Sequence, residues 1–249
     1  MRKRKFLRPE YSSKIIGIVF LTISIYLFLR TDYLNAGLAA AFIGIFTIFI
    51  VHIPTVEEDV ALAGLKTGIL SYHHLLEDLN LSQYGVIVPS HKNLTESRVF
   101  VPAGKLESIP DLYDEMSIVS SGKGKVGVSI VPPGEPLLEE AKNKMEYEIE
   151  GSDIEGGREC MGYLTQGMGL AKSFSLRKKG KEVKIRITLG RYDDFCEELR
   201  KKSTNICTRS GCPICSAYLT GASEAFFVPL KIKNFEKEDN HIKYDLEEI

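Results

Sequence analysis

The sequence predicts a membrane-anchored α+β protein: two N-terminal transmembrane helices, then a soluble domain with a mixed or antiparallel sheet and an α-β-β duplication in its C-terminal half. Three patterns predict this: two apolar runs, a helical apolar seam behind them, and short β-rich runs between turn residues. Five parts follow in order: a basic N-terminus (1–14), a transmembrane hairpin (15–53), a juxtamembrane helix (55–80), a β-rich α+β segment (84–150) and a C-terminal α+β segment (151–249).

The hairpin prediction depends on two apolar runs, Ile15–Leu29 and Leu34–Ile53. A helix rises about 1.5 Å per residue, so about 20 apolar residues cross a hydrocarbon core of roughly 30 Å. The second run reaches that length, and the first reaches it only if Lys14 snorkels to the interface. The link Arg30–Tyr33 is short, so the two helices should be antiparallel.

Charge predicts the orientation of this hairpin, because Lys and Arg near helix ends are retained in the cytoplasm. Six basic residues precede the first run, against one in the turn between the runs. Both termini are therefore expected in the cytoplasm, with the lipid bilayer of the plasma membrane as a partner. A cleaved signal peptide is the alternative, but no small-x-small site follows Leu29.

The rest of the chain is acidic. Seven of the 32 basic residues but only two of the 33 acidic ones lie before Val56, which leaves a net charge near −6 on residues 56–249. Nucleic acid is therefore not expected as a partner, because its binding needs a concentrated basic surface.

A helix is predicted after Pro54, where Thr55 and Glu58 have the spacing of a capping box. Its apolar residues recur every three or four positions. This seam either packs on its own domain, which the short length favours, or joins two copies of the chain as a homo-oligomer. His73 and His74 are expected on the helix surface, paired with Glu77 and Asp78. The seam consists of Leu62, Leu65, Ile69, Tyr72, Leu76 and Leu79.

Short apolar runs then predict four strands, at 85–89, 98–102, 116–119 and 126–131. The glycine- and lysine-containing loop 120–125 lacks the phosphate-loop pattern and is predicted as a hairpin turn. Pro136 should lie in the first turn of a helix that ends near Met145. Residues 146–157 are predicted as a linker.

The C-terminal part contains one pattern twice, 55 residues apart: Cys160-Met-Gly-Tyr-Leu-Thr165 and Cys215-Ser-Ala-Tyr-Leu-Thr220. Two β-rich runs follow each copy, at 173–178 and 183–189 and at 226–233 and 241–246. An internal duplication of helix, strand, turn and strand is therefore predicted. A short charged helix at 192–203 separates the copies.

The strongest chemical signal is the spacing Cys207-x4-Cys212-x2-Cys215. Three thiolates at this spacing suit zinc or an iron–sulfur cluster, with Cys160 or Cys196 as the fourth ligand. A redox-active Cys212–Cys215 pair is a second interpretation, because a helix N-terminus after Pro213 would lower the pKa of Cys212. Ordinary core packing is the third, since Cys behaves as a small apolar residue.

Familiar catalytic patterns are absent from the sequence, including H-E-x-x-H, G-x-S-x-G and the Walker sequence. An enzyme is therefore not the favoured prediction, although missing motifs do not exclude one. The favoured function is a non-enzymatic binding, sensing or scaffolding protein. The alternative is a metal-binding, iron–sulfur or thiol-redox protein that uses the C-terminal cysteines.

Two stretches carry a resemblance to known families, VGVSIVPPGEPLLEEA (126–141) and GCPICSAYLTGASEA (211–225). Together with the basic start and the hairpin, they resemble uncharacterised archaeal membrane proteins of unknown function. This resemblance implies a two-helix anchor with an α+β domain and assigns no site residues. The C-x4-C-x2-C spacing before a helix is also similar to small-ligand-binding domains of the vinyl-reductase type, over the last 90 residues only.

Overall fold

A computed structural model describes residues 9–29, 33–50, 58–81, 84–91, 93–106, 108–121, 125–145 and 148–249. The chain divides into two compact units, with the boundary between Ala61 and Leu62. Several predicted features lie outside the described residues. These are most of the basic N-terminus, the centre of the Arg30–Tyr33 link, the capping-box residue Thr55, and the tip of the loop at 120–125.

The first unit contains two packed antiparallel helices, α1 (Pro9–Phe28) and α2 (Leu34–Ile50). Gly17 and Gly44 lie at their closest approach, where a Cβ on either glycine would stand 3.0 Å from the carbonyl oxygen of the other. The Ser24 hydroxyl donates a 2.7 Å hydrogen bond to the carbonyl of Gly37. Large apolar side chains face outward, and Phe42 and Phe49 are each 71% exposed.

The prediction of a transmembrane hairpin is wrong. Among the described residues, no helix is both long and apolar enough to cross a membrane. Helix α2 has 17 residues, about 26 Å at 1.5 Å per residue. Helix α1 has 20, but its first six are PEYSSK, which leaves an apolar part of about 21 Å. The same finding contradicts the predicted two-span topology and the plasma-membrane location.

The second unit begins in helix α3, and its described residues form eight strands and five further helices. The helices are α3 (Glu58–Asp78), α4 (Glu135–Lys144), α5 (Asp153–Gly162), α6 (Asp193–Lys202), α7 (Ile206–Arg209) and α8 (Pro213–Phe226). The strands are β1 (Val86–Val88), β2 (Arg98–Pro102), β3 (Ile118–Ser121), β4 (Lys125–Ile130), β5 (Ser173–Lys179), β6 (Glu182–Thr188), β7 (Leu230–Glu238) and β8 (His241–Glu248). A single π-helical turn, Tyr163–Gly167, extends α5.

All eight strands form one antiparallel sheet in the order β3-β4-β2-β1-β7-β8-β6-β5. Strand β6 alternates exposed and buried residues, so one of its faces packs inward and the other is open. Strand β2 is buried at every position, because a second, smaller apolar cluster covers its other face. The α+β class and the antiparallel sheet therefore agree with the prediction, whereas the membrane anchor does not.

Helix α8 is the centre of this unit, and all of its 14 residues are buried. It packs against α4 and α5. Close approach needs glycine at two places: a Cβ on Gly134 would lie 2.4 Å from the Pro213 carbonyl oxygen, and a Cβ on Gly221 would lie 3.2 Å from the Cys160 sulfur. A helix buried on all sides brings its polar residues into the core.

All eight predicted strands form, most of them with shifted bounds. Strand β2 has the predicted limits, whereas β7 begins at Leu230 rather than at Phe226 because α8 continues through Phe226. The region predicted as a linker, 146–157, already contains the start of α5 at Asp153. Both copies of the predicted repeat have the order helix, strand, strand, and the Tyr218 and Thr165 hydroxyls are hydrogen-bonded at 2.8 Å.

The α3 seam faces its own unit only in part. Ile69 and Leu76 are buried in the core and Leu62 and Tyr72 pack against it, while Leu65 and Leu79 are about half exposed. A homo-oligomer that uses these residues stays a prediction.

Candidate functional site: a buried cluster of four thiols

Four of the five cysteines meet in the core around the N-terminal end of α8. Cys196 comes from α6, Cys207 from α7, and Cys212 and Cys215 from the N-cap and first turn of α8. Each is at most 1% exposed, and all are free thiols. We call these four residues the thiol cluster.

The thiols interact in a chain that one phenol closes into a ring. The Cys196 side chain interacts with those of Cys207 and Cys212, and Cys212 interacts with Cys215. Tyr244 of β8 contacts Cys207 and Cys215. Residues from three helices and one strand therefore meet at one place inside an apolar core.

Local sequence explains how the loop before α8 presents its two thiols. Gly211 has a φ of +78°, a conformation that favours glycine. Pro213 occupies the first helical position, where its missing N–H costs nothing. The Ser216 N–H donates to the Cys212 carbonyl at 2.8 Å, which starts the helix. Cys212 and Cys215 are three residues apart across this first turn and therefore face the same side.

The environment keeps these thiols neutral. Hydrogen bonding to Cys196, and then burial, raise the pKa of Cys207 well above its ordinary value. The Cys207 contact lowers the pKa of Cys196, but the Cys212 contact and burial prevail and raise this pKa to about 12. The pKa of Cys212 is also raised: the Cys196 contact lowers it, but the Cys215 contact and burial prevail. The sequence predicted a lowered pKa for Cys212, whereas the Cys215 contact and burial leave it raised.

Two cations act on the cluster from its edge. The charge of Arg200 lowers the pKa of Cys207, and that of Lys237 lowers the pKa of Cys196, although neither outweighs burial. The Lys237 side chain is only 6% exposed and lies 2.9 Å from the Asp193 carboxylate. These charges would favour a negatively charged cluster over a neutral one.

The Tyr244 hydroxyl is the least satisfied polar group at the site. It is fully buried, and no described residue offers it a well-formed hydrogen bond. Burial raises the pKa of Tyr244 well above its usual range, so it remains a phenol. Its O–H is a donor adjacent to the sulfur atoms of Cys207 and Cys215 and would be satisfied best by a thiolate.

A family model described as Domain of unknown function (DUF7982) matches residues 14–197, which is most of the chain. The chain belongs to the DUF7982 family. No curated protein and no solved structure matches the chain. Membership of an uncharacterised family is thus confirmed, and the match supports neither an archaeal origin nor a membrane hairpin.

The DUF7982 match includes Cys160 and Cys196 but ends before the other three cysteines. The structure brings together all three predicted ligands, Cys207, Cys212 and Cys215, and of the two candidates for a fourth it adds Cys196. The Cys160 thiol lies elsewhere, against Gly221. Burial, and then the charge of Glu224, raise its pKa, and the charge of Lys142 lowers it. Within the described part of the chain, no three Cys, His or carboxylate side chains already surround a point where a metal ion fits.

Sequence reasoning missed two other buried polar groups in this DUF7982 protein. His73, expected on the surface, is fully buried, with its Nε2 3.3 Å from the Ser210 hydroxyl. Burial, and then the charge of Arg209, lower the pKa of His73 to about 4. The periodicity of α3 gave a signal, since His73 lies four residues after the buried Ile69.

The second missed group is the carboxylate cluster, which we define as Glu135, Glu224, Lys142 and Ser97. Glu224 of α8 is fully buried; it forms an ion pair with Lys142 and accepts a 2.7 Å hydrogen bond from the Ser97 hydroxyl. The Glu135 Oε2 atom has no partner among the described residues. Burial, and then the charge of Glu224, raise the pKa of Glu135 to about 7.

Proposed function

We propose that this DUF7982 protein binds one zinc ion through the thiolates of Cys196, Cys207, Cys212 and Cys215. The observation that supports the proposal is the meeting of four buried thiols and one donor-bearing phenol in a single place. Four protein ligands leave no open coordination position, which is typical of a structural rather than a catalytic zinc site. The ion would hold α6, α7 and α8 together next to β8.

Charge balance supports binding of a dication. Four thiols that bind Zn²⁺ release four protons to solvent and leave a site with net charge −2. Four nearby groups favour this negative charge: the cations Arg200 and Lys237, the N-terminus of α8 and the Tyr244 O–H. Burial keeps the four cysteines protonated in the metal-free chain, and binding of the ion would convert them to thiolates.

Geometry favours a single ion over an iron–sulfur cluster. Sulfur atoms bound to one zinc at about 2.3 Å lie about 3.8 Å apart, similar to thiols in contact with each other. A cluster with its own iron and sulfide atoms needs the cysteines further apart. Because the thiols now interact in a chain rather than around one centre, zinc binding requires small side-chain rotations that bring all four sulfurs to one point.

Thiol–disulfide chemistry is less well supported by the same site. The nucleophile in such chemistry is the thiolate, and it must be accessible. The Cys212 and Cys215 side chains are at most 1% exposed, and the pKa of each is raised. Of the predicted alternative functions, the geometry therefore favours metal binding over thiol-redox chemistry.

Metal analysis of the full chain tests this proposal. The chain is purified without chelator and without oxygen, and zinc and iron are measured by mass spectrometry alongside the visible spectrum. We expect about one equivalent of zinc, no iron band, and a tetrahedral thiolate spectrum after replacement by Co²⁺. Cys207→Ala and Cys212→Ala should each lose the ion.

Cys160→Ala is the matched control, because Cys160 is also fully buried but lies outside the thiol cluster. It should keep about one equivalent of zinc. A folded wild-type chain without metal, which also fails to take up added Zn²⁺ or Co²⁺, would overturn the proposal. Loss of zinc from Cys160→Ala would mean that Cys196 is the wrong choice of fourth ligand.

A further inference from the structure

A cavity of about 330 Å³ lies at the other end of α8 from the thiol cluster. Three separate segments form it: the end of β1 with the turn that follows, the loop between β2 and β3, and the turn between α8 and β7. This volume is at the lower end of the range for small-molecule sites. Its apolar lining includes Val88, Pro89, Ile109, Leu112, Phe227 and Pro229.

Phe227 is an unusual residue at this cavity. It ends α8 in the left-handed conformation, with φ 53° and ψ 38°, a position where glycine is favoured. Its N–H donates to the Glu224 carbonyl at 3.0 Å, and that of Val228 to the Ser223 carbonyl at 3.2 Å, as in an ordinary helix C-terminus. The ring is nevertheless 48% exposed.

Phe227 therefore combines two unfavourable features. A bulky side chain in the left-handed region is strained, and an aromatic ring is left partly in water. Glycine at this position would avoid both. Such an outlier at the wall of a cavity points to a role in binding rather than in folding.

The polar groups at the cavity are mainly acceptors. His91 Nδ1 lies 3.0 Å from the Pro89 carbonyl oxygen, which can only accept, so Nδ1 carries the ring proton. In this tautomer, Nε2 is the acceptor atom of the ring. The Asp111 carboxylate accepts as well, and the Asn93 amide can do either.

We propose that this cavity binds a small aromatic molecule that carries an ammonium group. The ring would stack on Phe227 between the prolines and aliphatic side chains, and the ammonium would donate to Asp111 and His91. An aromatic carboxylate of the same size would place its charge against acceptors and be rejected. The proposal does not depend on the thiol cluster, which contributes no residue to the cavity.

Two probes of matched shape and opposite charge test the proposal on the full chain. Tryptamine carries an ammonium and indole-3-propionate a carboxylate, on the same ring and a similar linker. We expect isothermal titration calorimetry at pH 7.5 to show tryptamine binding at least about tenfold tighter than indole-3-propionate. Failure of tryptamine to bind, or equal binding of both probes, would overturn the proposal.

Phe227→Gly separates a binding role from a structural one. If the ring serves a ligand, the variant weakens tryptamine binding at least about tenfold while the thermal midpoint stays the same or rises. A lowered midpoint with unchanged tryptamine affinity would show that Phe227 serves packing and would contradict the proposal.

Asp111→Asn provides a second variant at an exposed position. It keeps the shape of the side chain and removes its charge. We expect it to abolish the preference for tryptamine over indole-3-propionate. An unchanged preference would contradict the proposed recognition of an ammonium group.

Discussion

The N-terminal and C-terminal halves of α8 accommodate buried polar groups in different ways. At the N-terminal end, the thiol cluster consists of neutral groups that interact with each other. In the C-terminal half, the Glu224 carboxylate forms an ion pair with one lysine and accepts a hydrogen bond from one serine. Neutral thiols cost little to bury, whereas a carboxylate needs a fixed counter-charge.

This difference predicts where the domain is sensitive to substitution. A buried ion pair that loses one partner leaves an unpaired charge in the core. A thiol that is lost leaves only a small cavity. The carboxylate cluster should therefore dominate stability, and the thiol cluster should matter mainly when a metal is bound.

Removal of the lysine should have the largest effect. We expect Lys142→Met to lower the free energy of unfolding by about 3–5 kcal/mol, because Glu224 is left buried without its counter-charge. Urea unfolding followed by circular dichroism measures this. Lys144→Met on the same helix is the control: its exposed pair with Glu140 should contribute less than about 0.5 kcal/mol. Equal effects of the two substitutions would contradict the comparison.

The second largest effect should depend on pH. The pKa of Glu135 is about 7 in the folded chain against an ordinary 4.5, so between these values the folded state holds a proton that the unfolded state releases. The free energy of unfolding should therefore fall as pH rises from about 4.5 to 7, by up to about 3 kcal/mol in total.

Glu135→Gln should remove this loss, so the variant should exceed the wild type in stability at pH 8 and match it near pH 4.5. Unfolding of both chains at five pH values between 4.5 and 8 measures the difference, which also cancels the titration of His73. Glu139→Gln, at an exposed position of the same helix, should show no such trend. A pH-independent difference would mean that Glu135 is charged in the fold.

The smallest effect should come from the phenol at the thiol cluster. Because the Tyr244 hydroxyl lacks a well-formed hydrogen bond, Tyr244→Phe in the metal-free chain should change the free energy of unfolding by less than about 1 kcal/mol. With zinc bound, the same substitution should weaken retention of the ion, because a donor to a thiolate is lost. A chelator titration measures the second effect. Equal zinc retention by both chains would mean that Tyr244 does not stabilise the bound ion.

The sequence predicted the elements that depend on local pattern. Strand β2 has its predicted limits because a short apolar run lies between polar turns, and Pro136 lies in the first turn of α4 as expected. Strand β7 was predicted four residues early, because Phe226 and Phe227 suit a strand but belong to the end of a fully buried helix. The apolar runs of α1 and α2 suggested membrane spans, although the helices are too short in their apolar parts.

The candidate site was predictable only where its residues are close in sequence. The spacing of Cys207, Cys212 and Cys215 indicated a shared site, but it could not show that Cys196 rather than Cys160 lies beside them, because this depends on the tertiary packing of α6 against α7. The buried positions of His73 and Glu135 likewise follow from tertiary packing. The cavity at Phe227 was not predictable, because three segments separated in the sequence form it.

The position of β7 and β8 in the sheet has a consequence for synthesis on the ribosome. These strands come after all the others in the chain, yet they lie between β1 and β6. During translation, β1 to β6 emerge first as two separate groups, each with an unpaired edge where β7 or β8 will bind. Open edges pair readily with other chains, so nascent chains should be most prone to aggregation in this interval and most dependent on chaperones.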